Sequence, residues 1–397
     1  MTEREFATDV VRRLQAAGFR ALWAGGCVRD ELLGLTPADY DVASDATPEQ
    51  VKGNFRRCVE VGAAFGVIEV LGPRGDDGEW LKVQVATFRN DGHYSDGRRP
   101  DAVTFSSPEE DAQRRDFTVN GMFFDPIANQ VIDYVGGQAD LRAKVLRAIG
   151  DPTARFTEDK LRILRAVRMA TRFELAIDPA TLDAARRMAS QIRVVSAERI
   201  AEELRKLFAH RYRARGAELL REFGLLSPVL PEVPSPDVRL LTALPPDSSF
   251  PLAFAAVLLP VGKKVAGNIA KRLKLSNDEK DRIEWLVDRH VGLRNAASLR
   301  PSQRHPLLTH PGVGDLLALT RAEGFAADAD FCEAILHDTP PEVLDPPPLL
   351  TGDDLVAMGW KPGPLFKRVL ETVRQKQLDG ELQTAADATT FAEGMKP

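Results

Sequence analysis

Short apolar runs alternate with amphipathic stretches over the first 150 residues, and this pattern predicts a unit of mixed helices and strands. Residues 8–17 have the spacing of an amphipathic helix, and residues 20–24 form an apolar run that ends at Gly25 and Gly26. Runs of β-branched or alternating residues, separated by Gly-rich turns, predict further strands at residues 58–61, 67–71, 80–88 and 130–135. We therefore expect an α+β domain with a mixed sheet at the start of the chain.

The periodicity changes near Asp151 and Pro152, where helical spacing takes over and convincing strands end. Two proline clusters, within residues 228–251 and 340–348, then interrupt the helical pattern, because proline cannot continue a helix interior. The pattern predicts an α+β head followed by an all-α neck, body and tail. We expect the head over residues 1–150, the neck over 151–225, the body over 226–340 and the tail over 341–397.

Composition narrows the class of protein. The 397 residues are 44% hydrophobic and 28% charged, which is ordinary for a globular chain and excludes a disordered or fibrous one. The longest uncharged stretch, residues 248–262, is shorter than the ~20 apolar residues of a membrane-spanning helix, and the acidic start lacks the apolar segment of an export signal. Three cysteines without a close pair argue against a disulfide framework and a zinc site. We expect a cytoplasmic protein that does not enter a membrane.

The charge of the chain is unevenly distributed. Residues 141–220 contain 18 Lys and Arg against 10 Asp and Glu, a net of +8, whereas the whole chain has −5, which leaves −13 for the rest. A basic middle flanked by acidic ends suits a chain that binds a polyanion in one place, although a solvated helical surface has the same composition.

Two aspartates two positions apart, Asp39 and Asp41, are the most informative acidic pair. In an extended chain the side chains at i and i+2 point the same way, so both carboxylates leave one face of a strand. Close carboxylates repel each other unless a cation lies between them, and oxygen ligands favour Mg²⁺ completed by substrate phosphates. We predict that Asp39 and Asp41 are metal ligands and catalytic residues.

A glycine turn precedes this pair. Gly25 and Gly26 follow a predicted strand, and Arg29 and Asp30 lie in the helix that opens after them. Backbone N–H groups at such a turn, together with the helix dipole, form a cradle for a triphosphate. A phosphate-binding turn beside a metal-binding carboxylate pair is the arrangement that nucleotidyl transfer with two metal ions requires. We predict that these four residues bind the nucleotide.

These residues open a longer series of motifs. In chain order the motifs are Gly25-Gly26-Cys27-Val28-Arg29-Asp30, Asp39-Tyr40-Asp41, Arg114-Arg115-Asp116-Phe117-Thr118-Val119-Asn120, Asp133-Tyr134-Val135-Gly136-Gly137, Glu158-Asp159-Lys160-Leu161-Arg162 and Glu198-Arg199-Ile200. The series resembles the bacterial and eukaryotic-type (class II) CCA-adding tRNA nucleotidyltransferases and the closely related bacterial poly(A) polymerases, which belong to the DNA polymerase beta superfamily. The resemblance implies template-independent addition or repair of the 3′-terminal CCA of tRNA from CTP and ATP, with Mg²⁺ as cofactor. No obligate protein partner is indicated.

The resemblance also implies roles for residues of the later motifs. Arg115, Asp116 and Asn120 match the motif that selects the ribose. Asp159 and Arg162 match the motif that selects the base, and their i, i+3 spacing on a predicted helix would make them surface neighbours. The same spacing is common in ordinary helical salt bridges. Arg165 is a further nucleotide-binding candidate on this helix.

Arginines continue along one side of this helix, which predicts part of a tRNA-facing surface. The RNA-binding candidates are Arg168, Arg172, Arg211 and Arg213. A solvated helix face is the alternative interpretation.

Two segments and one substitution bear on the reaction. Residues 89–100 look like a full-length version of the family's flexible loop, which favours complete CCA or A addition over CC addition alone. Residues 61–67 lack the basic run of related poly(A) polymerases, which favours CCA addition over poly(A) synthesis.

Gln84 occupies a strand position where many relatives have an acidic residue, so a third metal-associated carboxylate is in doubt, with Glu69 as a candidate substitute. Two alternative functions stay open. The protein could be an A-adding enzyme that acts after a separate CC-adding enzyme or, more remotely, an inactive RNA-binding relative.

Overall fold

The computed structural model describes residues 1–62, 66–75, 78–91 and 103–396. The chain divides into two compact units, of which unit 1 contains Met1–Glu203 and Glu218–Pro231, and unit 2 contains Leu204–Ala217 and Glu232–Pro397. The expectation of an α+β head with a mixed sheet followed by helices is confirmed. The division into head, neck, body and tail stays a prediction.

The strands lie almost entirely in the first 150 residues. They are β1 (Ala21–Ala24), β2 (Asp41–Ser44), β3 (Cys58–Gly62), β4 (Val67–Arg74), β5 (Trp80–Thr87), β6 (Arg89–Asp91), β7 (Val103–Phe105), β8 (Met122–Asp125), β9 (Gln130–Asp133), β10 (Val145–Leu146) and β11 (Ala176–Ile177). The last of these lies after Asp151, where the sequence pattern predicts helices alone, and it pairs with β10 over two residues.

Seven strands form the main sheet in the order β3-β4-β5-β2-β1-β8-β9. Strands β2 and β5 are parallel, with Asp41 opposite Gln84, and the other neighbouring pairs are antiparallel. The sheet is therefore mixed, and β2 lies near its centre.

Helix α1 (Glu3–Ala16) covers one face of the sheet with its buried apolar stripe. Its start at Glu3 precedes the predicted start at residue 8, because Thr2 caps the helix and Glu5 completes a capping box. Gly72 of β4 faces this helix, and a Cβ at that position would lie 2.7 Å from the Phe6 ring.

The remaining helices of unit 1 include one that packs beside α1, Pro48–Asn54, and others that follow the sheet in the chain. They are α2 (Gly26–Leu32), α3 (Pro48–Asn54), α4 (Pro108–Gln113), α5 (Gly137–Arg142), α6 (Pro152–Glu158), α7 (Leu161–Phe173), α8 (Pro179–Met188), α9 (Ala197–Phe208), α10 (Arg213–Glu222) and α11 (Leu226–Val229). Helices α9 and α10 contribute residues to both units. A buried cluster that includes Leu22, Ala43 and Phe123 packs on the face opposite α1, with Ala112 of α4 among its members.

Unit 2 is built from helices among its described residues. They are α12 (Val238–Ala243), α13 (Phe250–Leu258), α14 (Gly262–Arg272), α15 (Asn277–Arg289), α16 (Pro301–Leu308), α17 (Val313–Ala322), α18 (Ala326–Asp338), α19 (Pro341–Leu344), α20 (Gly352–Ala357), α21 (Pro364–Leu378) and α22 (Ala385–Glu393). The last three helices share an apolar cluster that includes Leu355, Trp360 and Val369.

One segment of unit 2 is long and apolar enough to cross a membrane. It spans Phe250–Arg272 and contains α13 and α14. Every residue from Leu252 to Leu258 is buried within the fold, and Phe254 packs against Phe208. Burial of this kind is typical of a core helix, and Pro260 and Gly262 interrupt the helical run.

Candidate active site

A cavity of about 450 Å³ in unit 1 brings together most of the site residues expected from the sequence. Its lining consists of Gly25, Gly26, Arg29, Asp39, Asp41, Arg114, Arg115, Asp116, Asn120, Asp159, Arg162, Arg165, Arg168 and Met169. Six of these residues are arginines, so the cavity combines a carboxylate pair with a high density of guanidinium groups. Such a lining suits a polyanion that is bound together with a cation.

The glycine turn requires glycine for two reasons. Gly25 has φ 78°, a conformation that residues with a Cβ seldom adopt. A Cβ built at Gly25 would also lie 2.8 Å from Nη1 of Arg115. The turn therefore lets the start of α2 approach an arginine of the ribose motif.

The carboxylate pair lies at the beginning of β2. Tyr40, between the two aspartates, is buried on the α1 side, where its hydroxyl donates to Glu31 Oε1 at 2.6 Å and its ring meets Trp23 edge-on. The alternation of the strand then directs Asp39 and Asp41 towards the cavity. The predicted common face of the two carboxylates follows from this anchoring.

Asp41 has a raised pKa of about 6. The main cause is that protein atoms displace water around its carboxylate, although the residue is still reached by solvent. The negative charge of Asp39 raises the pKa further, and the guanidinium of Arg115 opposes the rise. A cation beside both carboxylates would relieve this repulsion.

The described residues contain no group of three or more His, Cys, Asp or Glu side chains placed to hold a metal ion. Glu69 is not a close substitute for a third carboxylate, because Gln84 lies between it and Asp41 in the sheet. The donor set still fits Mg²⁺, which is usually bound by one or two carboxylates and by substrate phosphates.

Asp111 of α4 positions two arginines of the ribose motif. Its Oδ1 accepts hydrogen bonds from Arg114 at 2.6 and 2.8 Å, and its Oδ2 accepts from Arg115 at 2.9 and 3.1 Å. The residue is 1% exposed. Burial opposes its ionisation, but the two guanidinium groups outweigh this and lower its pKa. Sequence reasoning missed Asp111, although an acidic residue three and four positions before paired arginines on a helix is a recognisable signal.

Asp116 lies at the back of the cavity, buried and hydrogen-bonded. Its Oδ1 accepts from the Phe117 backbone at 2.8 Å and from Nδ2 of Asn120 at 3.0 Å. Arg165 approaches its Oδ2 to 2.8 Å. Burial would raise the pKa of Asp116, but the charge of Arg165 and these hydrogen bonds lower it.

Arg29 lines the cavity, whereas its neighbour Asp30 does not. Arg29 is buried, stacks on the ring of Phe173, and donates to Oδ1 of Asn120 and to Oδ1 of Asp30. Asp30 is not part of the cavity lining and acts as the counter-ion of Arg29. Asp30 therefore holds Arg29 in position and does not contact a nucleotide in this cavity. This corrects the prediction that Asp30 binds the nucleotide.

Asp159 and Arg162 both line the cavity, but they are not paired with each other. Asp159 lies in extended conformation between α6 and α7, so the expected i, i+3 pair on one helix is wrong. Its oxygens bind Arg199 at 2.6 and 3.2 Å. Arg162 donates to Glu158 and to the backbone carbonyl of Arg114. Each member of the expected base-reading pair is thus held by its own partner.

The predicted RNA-binding arginines have four different environments. Arg168 lines the cavity and is paired with Glu203. Arg172 is partly exposed, 3.6 Å from Asp30, and Arg211 is exposed.

Arg213 is fully buried in unit 2. Its guanidinium donates to the backbone carbonyls of His210, Pro245 and Pro246, at 2.7–3.0 Å. The prediction that Arg213 contacts RNA is wrong, because solvent cannot reach its side chain.

Two expectations lie outside the described residues. The flexible-loop interpretation of residues 89–100 depends mostly on residues 92–100, and the absence of a basic run depends partly on residues 63–65. Both stay predictions.

Comparisons with known proteins fit this site. Residues 21–147 match the model of the poly A polymerase head domain, and residues 174–235 match that of a probable RNA and SrmB-binding site of polymerase A. A CCA-adding enzyme of Streptococcus mutans is 34% identical over 98% of this chain and 96% of its own length. The chain belongs to the CCA-adding enzyme family. The family resemblance expected from the motifs is confirmed.

Other members of the family and its neighbours give the same picture. The crystal structure of the Bacillus stearothermophilus CCA-adding enzyme in complex with CTP has a TM-score of 0.80 and 25% identity, and covers 99% of this chain and 98% of that one. Poly(A) polymerase I of Escherichia coli O6:H1 is 40% identical, but over 58% of this chain and 50% of its own length. The likeness to CCA-adding enzymes thus spans the whole chain, whereas the likeness to the poly(A) polymerase does not.

Proposed function

We propose that this protein adds or repairs the 3′-terminal CCA of tRNA, taking CTP and ATP as substrates. The observation that carries the proposal is the single cavity in which the Asp39–Asp41 pair faces six arginines. The full-length similarity to CCA-adding enzymes supports tRNA as the acceptor.

The glycine turn and nearby arginines receive the triphosphate. The backbone N–H of Gly25 donates to the Met122 carbonyl at 3.2 Å, so the backbone donor for a phosphate at this turn is Gly26, where α2 begins with the positive end of its dipole. Arg115, aimed by Asp111, supplies a fixed guanidinium beside the turn. These groups stabilise the charge that develops on the leaving pyrophosphate.

Asp39 and Asp41 hold the divalent cation. Mg²⁺ bound there would supply the Lewis acid that activates the attacking hydroxyl and neutralises the phosphates. The two carboxylates orient the reacting groups, and the anchoring of Tyr40 keeps both on the cavity side of β2.

Residues farther along the cavity recognise the sugar and the base. Asp116 and Asn120, already linked to each other, present oxygen and nitrogen atoms that suit ribose hydroxyls, which both donate and accept. Asp159 offers acceptors and Arg162 offers a planar set of donors, and together these match the Watson–Crick edge of C or A. Arg165 keeps Asp116 ionised and placed for this contact. Arg168, Arg172 and Arg211 are the candidate contacts to the tRNA backbone.

The deciding experiment is primer extension. A tRNA that ends at the discriminator base is incubated with CTP, ATP or both in the presence of Mg²⁺, and products are sized on a gel. Addition of three nucleotides with both substrates supports the proposal. A long ladder with ATP alone would replace it by poly(A) synthesis, and no extension until CC is supplied would replace it by A addition.

Poly(A) synthesis is the second candidate function. It is favoured by the 40% identity to the E. coli poly(A) polymerase over the matched part of the chain. The match covers half of that enzyme, so the first candidate has the broader support.

A further inference from the structure

The sheet continues past the carboxylates on the face that carries them. Asp41 on β2 is paired with Gln84 on β5, Gln84 with Glu69 on β4, and Glu69 with Val59 on β3. Residues directly opposite on neighbouring strands lie on the same face. Since strands are ~4.8 Å apart, Gln84 is the immediate neighbour of Asp41, and Glu69 lies about 10 Å away.

This part of the face is open to solvent. Gln84, Lys82 and Trp80 alternate along β5 as exposed residues, whereas the residues between them are buried on the α1 side or point towards it. Val59 is 45% exposed and Trp80 is 38% exposed. An exposed sheet face with apolar and aromatic side chains beside a reaction centre is typical of a binding surface.

The charge of the open face is mainly positive. Arg57 and Arg74 lie with their guanidinium carbons 4.8 and 5.3 Å from the centre of the Trp80 ring. Lys82 is exposed on the same face, paired with Leu71 of β4. Beyond Asp39 and Asp41, the carboxylate that the strand register places on this face among the described residues is Glu69. Cations ordered by an aromatic ring suit the phosphates of a single strand.

The order of the strands determines which substrate can use this face. On one side of β2 lies β1, which leads into Gly25 and the arginine-lined cavity; on the other side lies β5. In-line transfer places the attacking hydroxyl opposite the leaving pyrophosphate. If the triphosphate lies on the β1 side, the acceptor must reach Asp41 from the β5 side.

We propose that the exposed face of β3, β4 and β5, from Gln84 to Trp80, is the track along which the single-stranded 3′ end of the RNA reaches the carboxylates. The proposal rests on the proposed function, since it assumes that an RNA hydroxyl attacks beside Asp41. Gln84 contacts the terminal ribose, because its amide can both donate to and accept from a 2′-hydroxyl. Lys82, about 7 Å from Gln84 along the strand, and the two arginines at Trp80, about 13 Å from Gln84, contact phosphates upstream.

The test separates RNA binding from nucleotide binding. Lys82→Ala and Gln84→Ala are compared with Arg12→Ala, an exposed arginine on α1, which covers the opposite face of the sheet. KM for a tRNA that lacks CCA and KM for CTP are measured separately, at several salt concentrations. We expect the RNA KM to rise about 3- to 10-fold in the two track variants, with the CTP KM within about twofold of wild type. Lys82→Ala should also lower the slope of log affinity against log salt by about one.

Two further readouts are specific to a track. Quenching of tryptophan fluorescence on RNA binding should be lost in Trp80→Phe. Gln84→Ala should lose any preference for a 3′-terminal ribose over a 2′-deoxyribose. Melting temperatures near that of wild type exclude unfolding as the cause of these changes.

The failures of the two proposals are distinguishable. If the wild type does not extend tRNA, the proposed function fails, whereas the fluorescence and binding measurements still test the track. If the wild type extends tRNA but the track variants keep wild-type KM values for RNA, or match Arg12→Ala, the track is wrong and the proposed function stands.

Discussion

Arg199 of α9 holds both carboxylate oxygens of Asp159, with nitrogen–oxygen distances of 2.6 and 3.2 Å. The side chain proposed to read the base, which lies between two helices, is therefore oriented by a residue 40 positions later in the chain. A carboxylate held in this way presents one arrangement of acceptors to the incoming nucleotide.

Replacement of Arg199 should loosen base selection. Lysine cannot bind both oxygens in one plane, so Arg199→Lys leaves Asp159 charged but free to rotate. We expect the ratio of correct to incorrect nucleotide at each position to fall about 10-fold, measured with CTP and ATP in competition. Arg186→Lys, an exposed arginine on α8, is the matched control and should keep wild-type selectivity. Equal selectivity in both variants would show that Arg199 does not orient Asp159.

Asp111→Asn should weaken nucleotide binding and stability together. Asn keeps the shape of the side chain but loses the charge that holds Arg114 and Arg115, which leaves two guanidinium groups without their counter-ion. Breaking a buried ion pair in this way costs about 3–5 kcal/mol at most. Denaturant unfolding should show a loss of this order, and KM for CTP should rise. Glu109→Gln on the same helix, exposed to solvent, should change the unfolding free energy by less than about 0.5 kcal/mol.

Gly25→Ala should reduce turnover more than stability. The new Cβ would meet Arg115 and would occupy a left-handed conformation. We expect kcat to fall by roughly 10- to 100-fold, because displacement of a positioned group by about 1 Å has effects of this size. Gly34→Ala separates the two causes, since Gly34 also has a positive φ but no neighbour within 4 Å of its Cβ. If Gly34→Ala lowers kcat as much as Gly25→Ala, the contact with Arg115 is not the reason.

Asp41→Asn should stabilise the metal-free protein, and the gain should depend on pH. Folding raises the pKa of Asp41 from 3.8 to about 6. At pH values above 6 the carboxylate is ionised in both states, but its charge is less favourable in the folded state, and this lowers the free energy of unfolding. As the pH falls from 6 to 4, Asp41 takes up its proton in the folded protein first, and this penalty disappears. We expect a gain of about 1 kcal/mol at pH 8, reduced by solvent screening, and almost none at pH 4. Urea unfolding in a chelator at both pH values measures it, and a gain that is independent of pH would contradict the assignment.

Replacement of Arg213 should lower stability, whereas replacement of Arg211 should lower RNA affinity. Arg213→Met removes the donor to three backbone carbonyls, and each buried acceptor left without a partner costs about 1–3 kcal/mol. We expect a melting temperature several degrees lower. Arg211→Ala should leave the melting temperature near that of wild type and weaken RNA binding in a salt-dependent manner. RNA affinity that falls in Arg213→Met at unchanged stability would restore the original expectation for that residue.

Local patterns of the sequence were enough to predict the mixed sheet, the carboxylate pair and the glycine turn. Alternation around Tyr40 requires Asp39 and Asp41 to share a face, and two adjacent glycines before a helix indicate a turn that admits phosphate. These conclusions depend on neighbours within a few residues, and that is why they could be drawn without a fold. The motif series added the family, which the comparisons confirm.

Partners distant in the chain could not be predicted in this way. Asp159 and Arg162 have helical spacing, but the chain leaves the helix at Asp159, and its partner Arg199 is 40 positions away. Arg211 and Arg213 are both arginines in a basic segment, and only packing against residues 245 and 246 shows that one of them is buried.

The sequence by itself determined which chemical groups the chain possesses and how near neighbours alternate along it, because these follow from covalent order and backbone geometry. Tertiary structure alone decided which arginine meets which carboxylate, which charges are removed from water, and that Gln84 lies beside Asp41. Those relationships arise from contacts between segments far apart in the chain, and their energies depend on burial that no local pattern encodes.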